Sequence, residues 1–289
     1  MILSVSRRTD IPALYPAWFF NRLREGFVLV RNPMNFHQVG KILLCPSLID
    51  CIVFWTKDPR RMLPYLEALR GYNYYFQITL TGYDRHIERN VPDKDQIAAA
   101  VCELAKKIGK ERVIWRYDPI IVTDKLDADY HRREFARLAE RLQGSTERCV
   151  ISFVDLYRKT KRNLKDIKPL TDQAALYQVA ELLSAEAKKR GLRLETCSEK
   201  IELGSLGIGH GKCIDDQLIA RISGRSLAVG KDPNQRAECG CVTSLDLGAY
   251  NTCTHGCLYC YANHSARAVA ENAARHNPHS PLLIGEIDP

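Results

Sequence analysis

Cys253, Cys257 and Cys260 stand at C-x3-C-x2-C spacing in the stretch Cys253-Thr254-His255-Gly256-Cys257-Leu258-Tyr259-Cys260. A tight loop at that spacing can turn three thiolates toward one iron–sulfur cube and leave its fourth iron without a protein ligand. An open coordination position suits a reactive metal centre, whereas a structural one closes all its positions. Zinc is the other candidate, with Cys241, His255 or His264 as a fourth ligand, although zinc sites usually use C-x2-C pairs. A further group, Cys197, Cys213, Cys239 and Cys241, precedes the triplet in the last third of the chain. Four thiolates can close around a zinc ion or hold a second cluster, and unliganded thiols are the plain alternative. Cys45, Cys51, Cys102 and Cys149 lie among apolar residues and are expected as buried core thiols. With seven of the eleven cysteines segregated in this way, metal is favoured over a disulfide framework.

Such groups need a scaffold, and the chain offers one by alternation. Ile2–Ser6, Cys51–Trp55, Tyr74–Leu80, Arg112–Tyr117, Cys149–Val154 and Leu192–Thr196 read as strands. Continuous apolar runs are what strands buried on both faces require. Helices are expected from Pro12 to about Glu25, from Pro59 to about Arg70, from Asp93 to Ile108, from about Asp129 to Leu142 and from Thr171 or Asp172 to Arg190. Gly26, Gly109 and Gly191 supply stops. Phe27–Val30 and Ile42–Leu44 form a short strand pair around Asn32-Pro33.

Repeated strand–helix alternation predicts an α/β fold, a full or partial (β/α) TIM-type barrel. A Gly-rich dinucleotide turn follows none of the strands. After Cys197 the pattern breaks down, with glycines crowding around His210, itself a candidate donor or a loop residue without a role. The chain therefore divides into barrel strands and helices (1–196), a cysteine-rich accessory segment (197–243), and a last unit (244–289). That unit has a strand at Ser244–Leu247, the cysteine loop, a helix over about Ser265–His276 and an extended tail, Pro278–Pro289.

At 45% hydrophobic and 26% charged residues, the 289-residue chain can bury a sizeable core. Neither a signal peptide nor an apolar run of membrane-span length is visible, and a cytoplasmic location is expected. The net charge of +8 suits an anionic partner such as nucleic acid, or simply a solvated basic surface.

The cysteine spacing, with Tyr259 ahead of the last thiol, resembles the cluster motif of the radical S-adenosylmethionine (SAM) enzymes. The resemblance implies a [4Fe–4S] cluster on Cys253, Cys257 and Cys260, while Cys197, Cys213, Cys239 and Cys241 stay a candidate second cluster or zinc site on the strength of their four thiols. It implies reductive cleavage of SAM to a 5'-deoxyadenosyl radical, hydrogen abstraction from a substrate, and an electron donor such as flavodoxin or ferredoxin. Nucleic acid is slightly favoured as substrate by charge, with peptide or small metabolite as the other classes. Tyr259 would pack near the adenine.

In that superfamily the motif follows the first barrel strand, so its late position here implies a circular permutation. Ser244–Leu247 should then lie beside Ile2–Ser6. Asp10 and Arg7 would occupy the strand end where relatives carry a Gly-Gly-Glu triplet, which this chain lacks. Arg116 would meet the SAM carboxylate, and Thr79, Thr81 and Asp118 the ribose hydroxyls; each is otherwise a strand-end cap or ion-pair partner.

The chain also resembles a prokaryotic family classed as a domain of unknown function with such a cysteine motif at its C-terminus. That resemblance runs through Trp55-Thr56-Lys57-Asp58-Pro59, Trp115-Arg116-Tyr117-Asp118-Pro119 and Cys239-Gly240-Cys241. Two other classes of function remain open. One is a non-catalytic iron–sulfur or zinc protein that binds nucleic acid. The other is a metal-dependent hydrolase using Asp118 and Asp155, which leaves the cysteines unexplained.

Overall fold

A computed structural model describes residues 1–286. The chain opens with β1 (Ile2–Val5), followed by α1 (Ile11–Leu14) and α2 (Pro16–Glu25). Pro16 divides the single helix expected here, because it lacks the N–H that would continue α1 and fits the first position of α2. Gly26 closes α2 in the left-handed region at φ 78°, where a glycine carries no Cβ penalty. The hairpin β2 (Phe27–Arg31) and β3 (Val39–Leu43) forms its own antiparallel sheet.

Next come β4 (Cys51–Thr56), β5 (Tyr74–Thr79), α3 (Lys94–Ile108), β6 (Val113–Ile120), α4 (Ala128–Arg141) and β7 (Arg148–Phe153). Between β4 and β5 the expected helix is instead a 3-10 turn, Leu63–Leu69, with Pro64 in its first turn. Then follow α5 (Arg158–Asn163), α6 (Gln173–Lys189), β8 (Arg193–Thr196), β9 (Gly209–His210), α7 (Asp216–Ser223), β10 (Leu245–Asp246) and α8 (Ala266–Ala274). Asp93, Asp127, Asp172 and Ser265 cap their helices by accepting backbone N–H bonds. The short α5 and β9 were not expected from the pattern.

Eight strands lie parallel in the order β10-β1-β4-β5-β6-β7-β8-β9. Among the described residues no pairing joins β9 to β10, so of the two expected forms the partial one is compatible with the sheet and closure is not seen. Because side chains alternate along a strand, the sheet has two packed faces. Leu3, Phe54, Phe76, Trp115 and Ile151 pack against the helices. Ile2, Val53, Tyr75, Ile114 and Val150 instead pack against Cys213, Ile214, Leu218, Ile219 and Val242 of the accessory segment. The accessory segment, with its helix α7, therefore fills the face that the other helices leave open.

The last strand lies beside the first, with Leu3 opposite Leu245 and Ser4 opposite Asp246. Asp246 accepts from Ser4 Oγ (2.8 Å), Ser6 Oγ (2.7 Å) and the Arg7 N–H (2.8 Å). A Cβ at Gly248 would stand 1.9 Å from Ser6 Oγ, so only glycine allows this approach. Beyond α8 the tail returns to α2, where Trp18 Nε1 donates to Ser280 O at 2.9 Å. The end of the expected extended tail, residues 287–289, lies outside the described residues. No helix among the described residues is long and apolar enough to cross a membrane.

Candidate metal centre

The cysteine loop sits beyond the carboxyl ends of β1, β4 and β5. From the β1 side, Tyr15 OH donates to Thr252 O at 2.6 Å, and Thr9 and Thr252 share a hydroxyl bond of 2.6 Å. From the segment after β5, Asn90 Nδ2 donates to Thr254 O at 2.7 Å, and Leu258 N donates to Ile87 O at 3.0 Å. From α5, Asn163 Nδ2 donates to Leu258 O at 3.1 Å.

Burial pushes the Cys257 thiol up to about 12, with Lys57 opposing and Glu88 and Cys260 adding to the rise. Burial likewise raises Cys253, reinforced by Asp10, Cys260 and Cys257. Cys257 and Cys260 are thus close enough to Cys253 for their charges to act on it, and the Cys260 N–H donates to Cys257 O at 3.1 Å. No thiol–thiol hydrogen bond joins them among the described residues.

Two polar arrangements hold this loop. Asp10 accepts the Ala13 N–H through Oδ1 at 3.0 Å and so caps α1. Its Oδ2 takes the Lys57 N–H at 2.8 Å and meets His255 Nε2 at 2.8 Å, which fixes the histidine inside the loop. The second arrangement centres on Glu88, whose side chain is fully buried. Lys57 Nζ donates to Glu88 Oε1 and to Tyr259 OH, each at 2.7 Å. Thr81 Oγ1 donates to Glu88 at 3.0 Å, and Lys94 Nζ and Tyr259 OH donate to it as well. Burial pushes the Glu88 carboxyl up, but Lys57 and Lys94 outweigh it and hold the pKa at about 2. Burial pushes Lys57 down, and Glu88 and Cys257 more than reverse this. Lys57 and Lys94 thus face the carboxylates of Glu88 and Asp10 beside the loop.

The second cysteine group also comes together. Cys197, just past β8, stands with its Sγ 3.0 Å from Cys213 Sγ. Cys241 lies beside them, its Sγ accepting from the Ile214 N–H at 3.4 Å, and Cys239 is close enough to Cys241 and Cys197 to feel their charge. Arg116 Nη1 donates to Cys213 Sγ at 2.6 Å. Tyr75 OH and Gln77 Nε2 hold the Cys213 carbonyl at 2.6 and 2.8 Å. Among the described residues, no three Cys, His, Asp or Glu side chains already stand in the arrangement of an ion-holding site.

The structure sorts the other candidates between the two groups. Asp10, Thr81 and Tyr259 join the triplet. Arg116, expected to face a ligand carboxylate, is committed to Asp118 through Nε at 3.0 Å and to Cys213. Asp118 also accepts from Ser152, and Thr79 ends β5 opposite Arg116. Arg7 turns toward β10, donating to Ser244 Oγ at 3.0 Å. Asp155 pairs with Arg236 at 2.8 Å, and His210 is exposed beside Glu202. Of the expected core thiols Cys51 and Cys149 are buried, but Cys45 is exposed and Cys102 half-buried, because both sit at the edges of their apolar runs.

Sequence reasoning missed Glu88 and Lys94. Lys57 stands in the stretch Trp55-Thr56-Lys57-Asp58-Pro59 that carries the family resemblance, but Glu88 lies in an irregular stretch with no periodicity to mark it. Also unforeseen is Glu199, which accepts the Phe153 N–H at 2.8 Å and whose pKa burial raises to about 7.

Fold and site together define a parallel α/β protein that gathers two cysteine groups at one sheet. The family model described as Domain of unknown function (DUF1848) matches residues 2–262. The chain belongs to that family, and the match takes in both cysteine groups. No curated protein and no solved structure matches the chain.

Proposed function

We propose that the protein is a radical SAM enzyme that holds a [4Fe–4S] cluster on Cys253, Cys257 and Cys260. It cleaves SAM reductively to a 5'-deoxyadenosyl radical and abstracts hydrogen from its substrate. The supporting observation is that three thiols, and no fourth cysteine, share the site. Cys241 is taken up by the other group, where its Sγ accepts from the Ile214 N–H at 3.4 Å. A closed zinc site needs four ligands, whereas a cluster with one open iron needs three. When bound, that cluster offers an iron to the methionyl amino and carboxylate groups of SAM and supplies the electron for its cleavage.

The chain's own residues prepare the setting. Lys57 opposes the rise that burial imposes on the Cys257 thiol. Lys57, rather than Arg116, is the cation beside the triplet and the candidate partner for the SAM carboxylate. Glu88 and Lys57 pin the Tyr259 hydroxyl, which fixes the ring as a wall for the adenine. Asp10 orients His255 and ties the loop to β4.

The parallel pairing of β10 with β1, followed by loop and α8, fits the strand–loop–helix unit of the superfamily moved by circular permutation. An acidic donor such as flavodoxin or ferredoxin suits α5 and its flank. There Arg158, Lys161, Arg162, Lys165 and Lys168 are exposed, and Lys159 lies close enough to Cys260 to feel its charge. The net charge of +8 favours an anionic substrate such as nucleic acid over a peptide or small metabolite.

Anaerobic reconstitution tests the proposal. Iron and sulfide should load the protein, and dithionite with SAM should yield 5'-deoxyadenosine. Cys257→Ala should abolish that turnover. Stoichiometric zinc on the triplet, with no deoxyadenosine formed, would refute the reading.

A further inference from the structure

The second cysteine group differs from the triplet in how closely its sulfurs approach. Cys197 and Cys213 stand 3.0 Å apart. Cys241 Sγ accepts from the N–H of Ile214, the neighbour of Cys213, at 3.4 Å, and Cys239 is close enough to feel the charge of Cys241 and Cys197. Thiolates sharing one tetrahedral zinc at about 2.3 Å stand roughly 3.8 Å from one another. Thiolates on separate irons of a cube stand roughly 6 Å apart. Spreading Cys197 and Cys213 to the zinc distance takes less than about 1 Å, whereas a cube takes roughly 3 Å. We propose that Cys197, Cys213, Cys239 and Cys241 form a closed four-thiolate site for a single zinc ion.

The surroundings fit a closed site and not an open one. Cys213, Cys239 and Cys241 are 2, 5 and 3% exposed, which leaves little room for a water ligand. A four-thiolate zinc carries excess negative charge, and this chain offers compensation at two sulfurs. Arg116 Nη1 donates to Cys213 Sγ at 2.6 Å, and the Ile214 N–H donates to Cys241 Sγ at 3.4 Å. The segments carrying the ligands cross tightly. A Cβ at Gly240, between two of the cysteines, would stand 3.1 Å from Lys212 Cγ and 3.6 Å from Gly211 O.

The four sulfurs come from the end of β8, from the start of the chain that enters α7, and from the turn before β10. One ion would therefore clamp the irregular segment against the sheet face that it fills. Binding displaces the thiol protons to solvent and involves no electron transfer.

The site is independent of the triplet, and so is its test. A full-length variant with Cys253→Ala, Cys257→Ala and Cys260→Ala removes every ligand of the first site. Purified from medium containing both metals, it should hold about one zinc per chain and no stoichiometric iron. Titration with a mercurial should release that zinc, and cobalt substituted for it should show the absorption of a tetrahedral thiolate site. Adding Cys213→Ser should remove the zinc; if that chain does not fold, the mercurial release and the cobalt spectrum still decide. About four irons with sulfide in the triplet-free variant would overturn the proposal in favour of a second cluster. Absence of any metal after mild purification would overturn it in favour of free thiols. Neither result depends on whether SAM is cleaved.

Discussion

Glu88→Gln is the sharpest test of how the cysteine loop is held. The carboxylate is fully buried and is the counter-ion of both Lys57 and Lys94. Its pKa of about 2, against an ordinary 4.5, reflects about 2.5 units of preference for the charged form. At about 1.4 kcal/mol per unit this is about 3 kcal/mol. Leaving two ammonium groups without their partner gives the same order, since breaking a buried pair costs about 3–5 kcal/mol. Glutamine keeps an acceptor for Thr81 and Lys57, so the lower figure is expected. The measurement is urea unfolding at neutral pH of the triplet-free protein, in which metal at the loop cannot contribute. Glu271→Gln is the control: it breaks the exposed Arg267–Glu271 pair and should cost less than about 1 kcal/mol. A Glu88→Gln cost no larger than the control's would show that Glu88 is not the counter-ion that holds Lys57 and Lys94 at the loop.

Acid stability should depend on His131, which is fully buried between Tyr117 OH at 3.0 Å and Ile121 O at 3.0 Å. Burial lowers its pKa from 6.5 to about 4, partly opposed by the bond to Ile121 and the charge of Asp127. The unfolded chain therefore takes up this proton first as pH falls below 6.5, and about 3 kcal/mol of stability is lost by about pH 4. His131→Gln should flatten that part of the stability profile, measured by urea unfolding across pH; an unchanged slope would refute the assignment. Gly248→Ala places a Cβ 1.9 Å from Ser6 Oγ and should strain the β1–β10 seam, at about 1–3 kcal/mol. Faster amide exchange at Leu247, whose N–H donates to Ser4 O at 3.0 Å, should accompany that loss, and unaltered exchange would refute the seam's role.

How much of this was legible in the sequence follows from how local each signal is. β1 and β4 to β8 show as apolar runs because both of their faces are packed. Asp93 and Gly26 mark helix ends because capping involves only neighbouring residues. The triplet is legible for the same reason, since one tight loop carries all its spacing. Polar strand ends could be found but not paired. Arg116 and Lys57 are equally plausible cations in sequence, and only the packing of the accessory segment sends Arg116 to Cys213 while Lys57 stays beside Tyr259. Glu88 was invisible because its meaning comes from Lys57 past β4 and Lys94 at the start of α3. Asp10 shows that the bland and functional readings of a residue need not compete. One oxygen caps α1 as a structural residue would, and the other holds Lys57 and His255 at the cysteine loop. The quartet is the limiting case. Its ligands come from three separated stretches, so spacing could not distinguish one ion from a cluster, and the contact between Cys197 and Cys213 exists only in the fold.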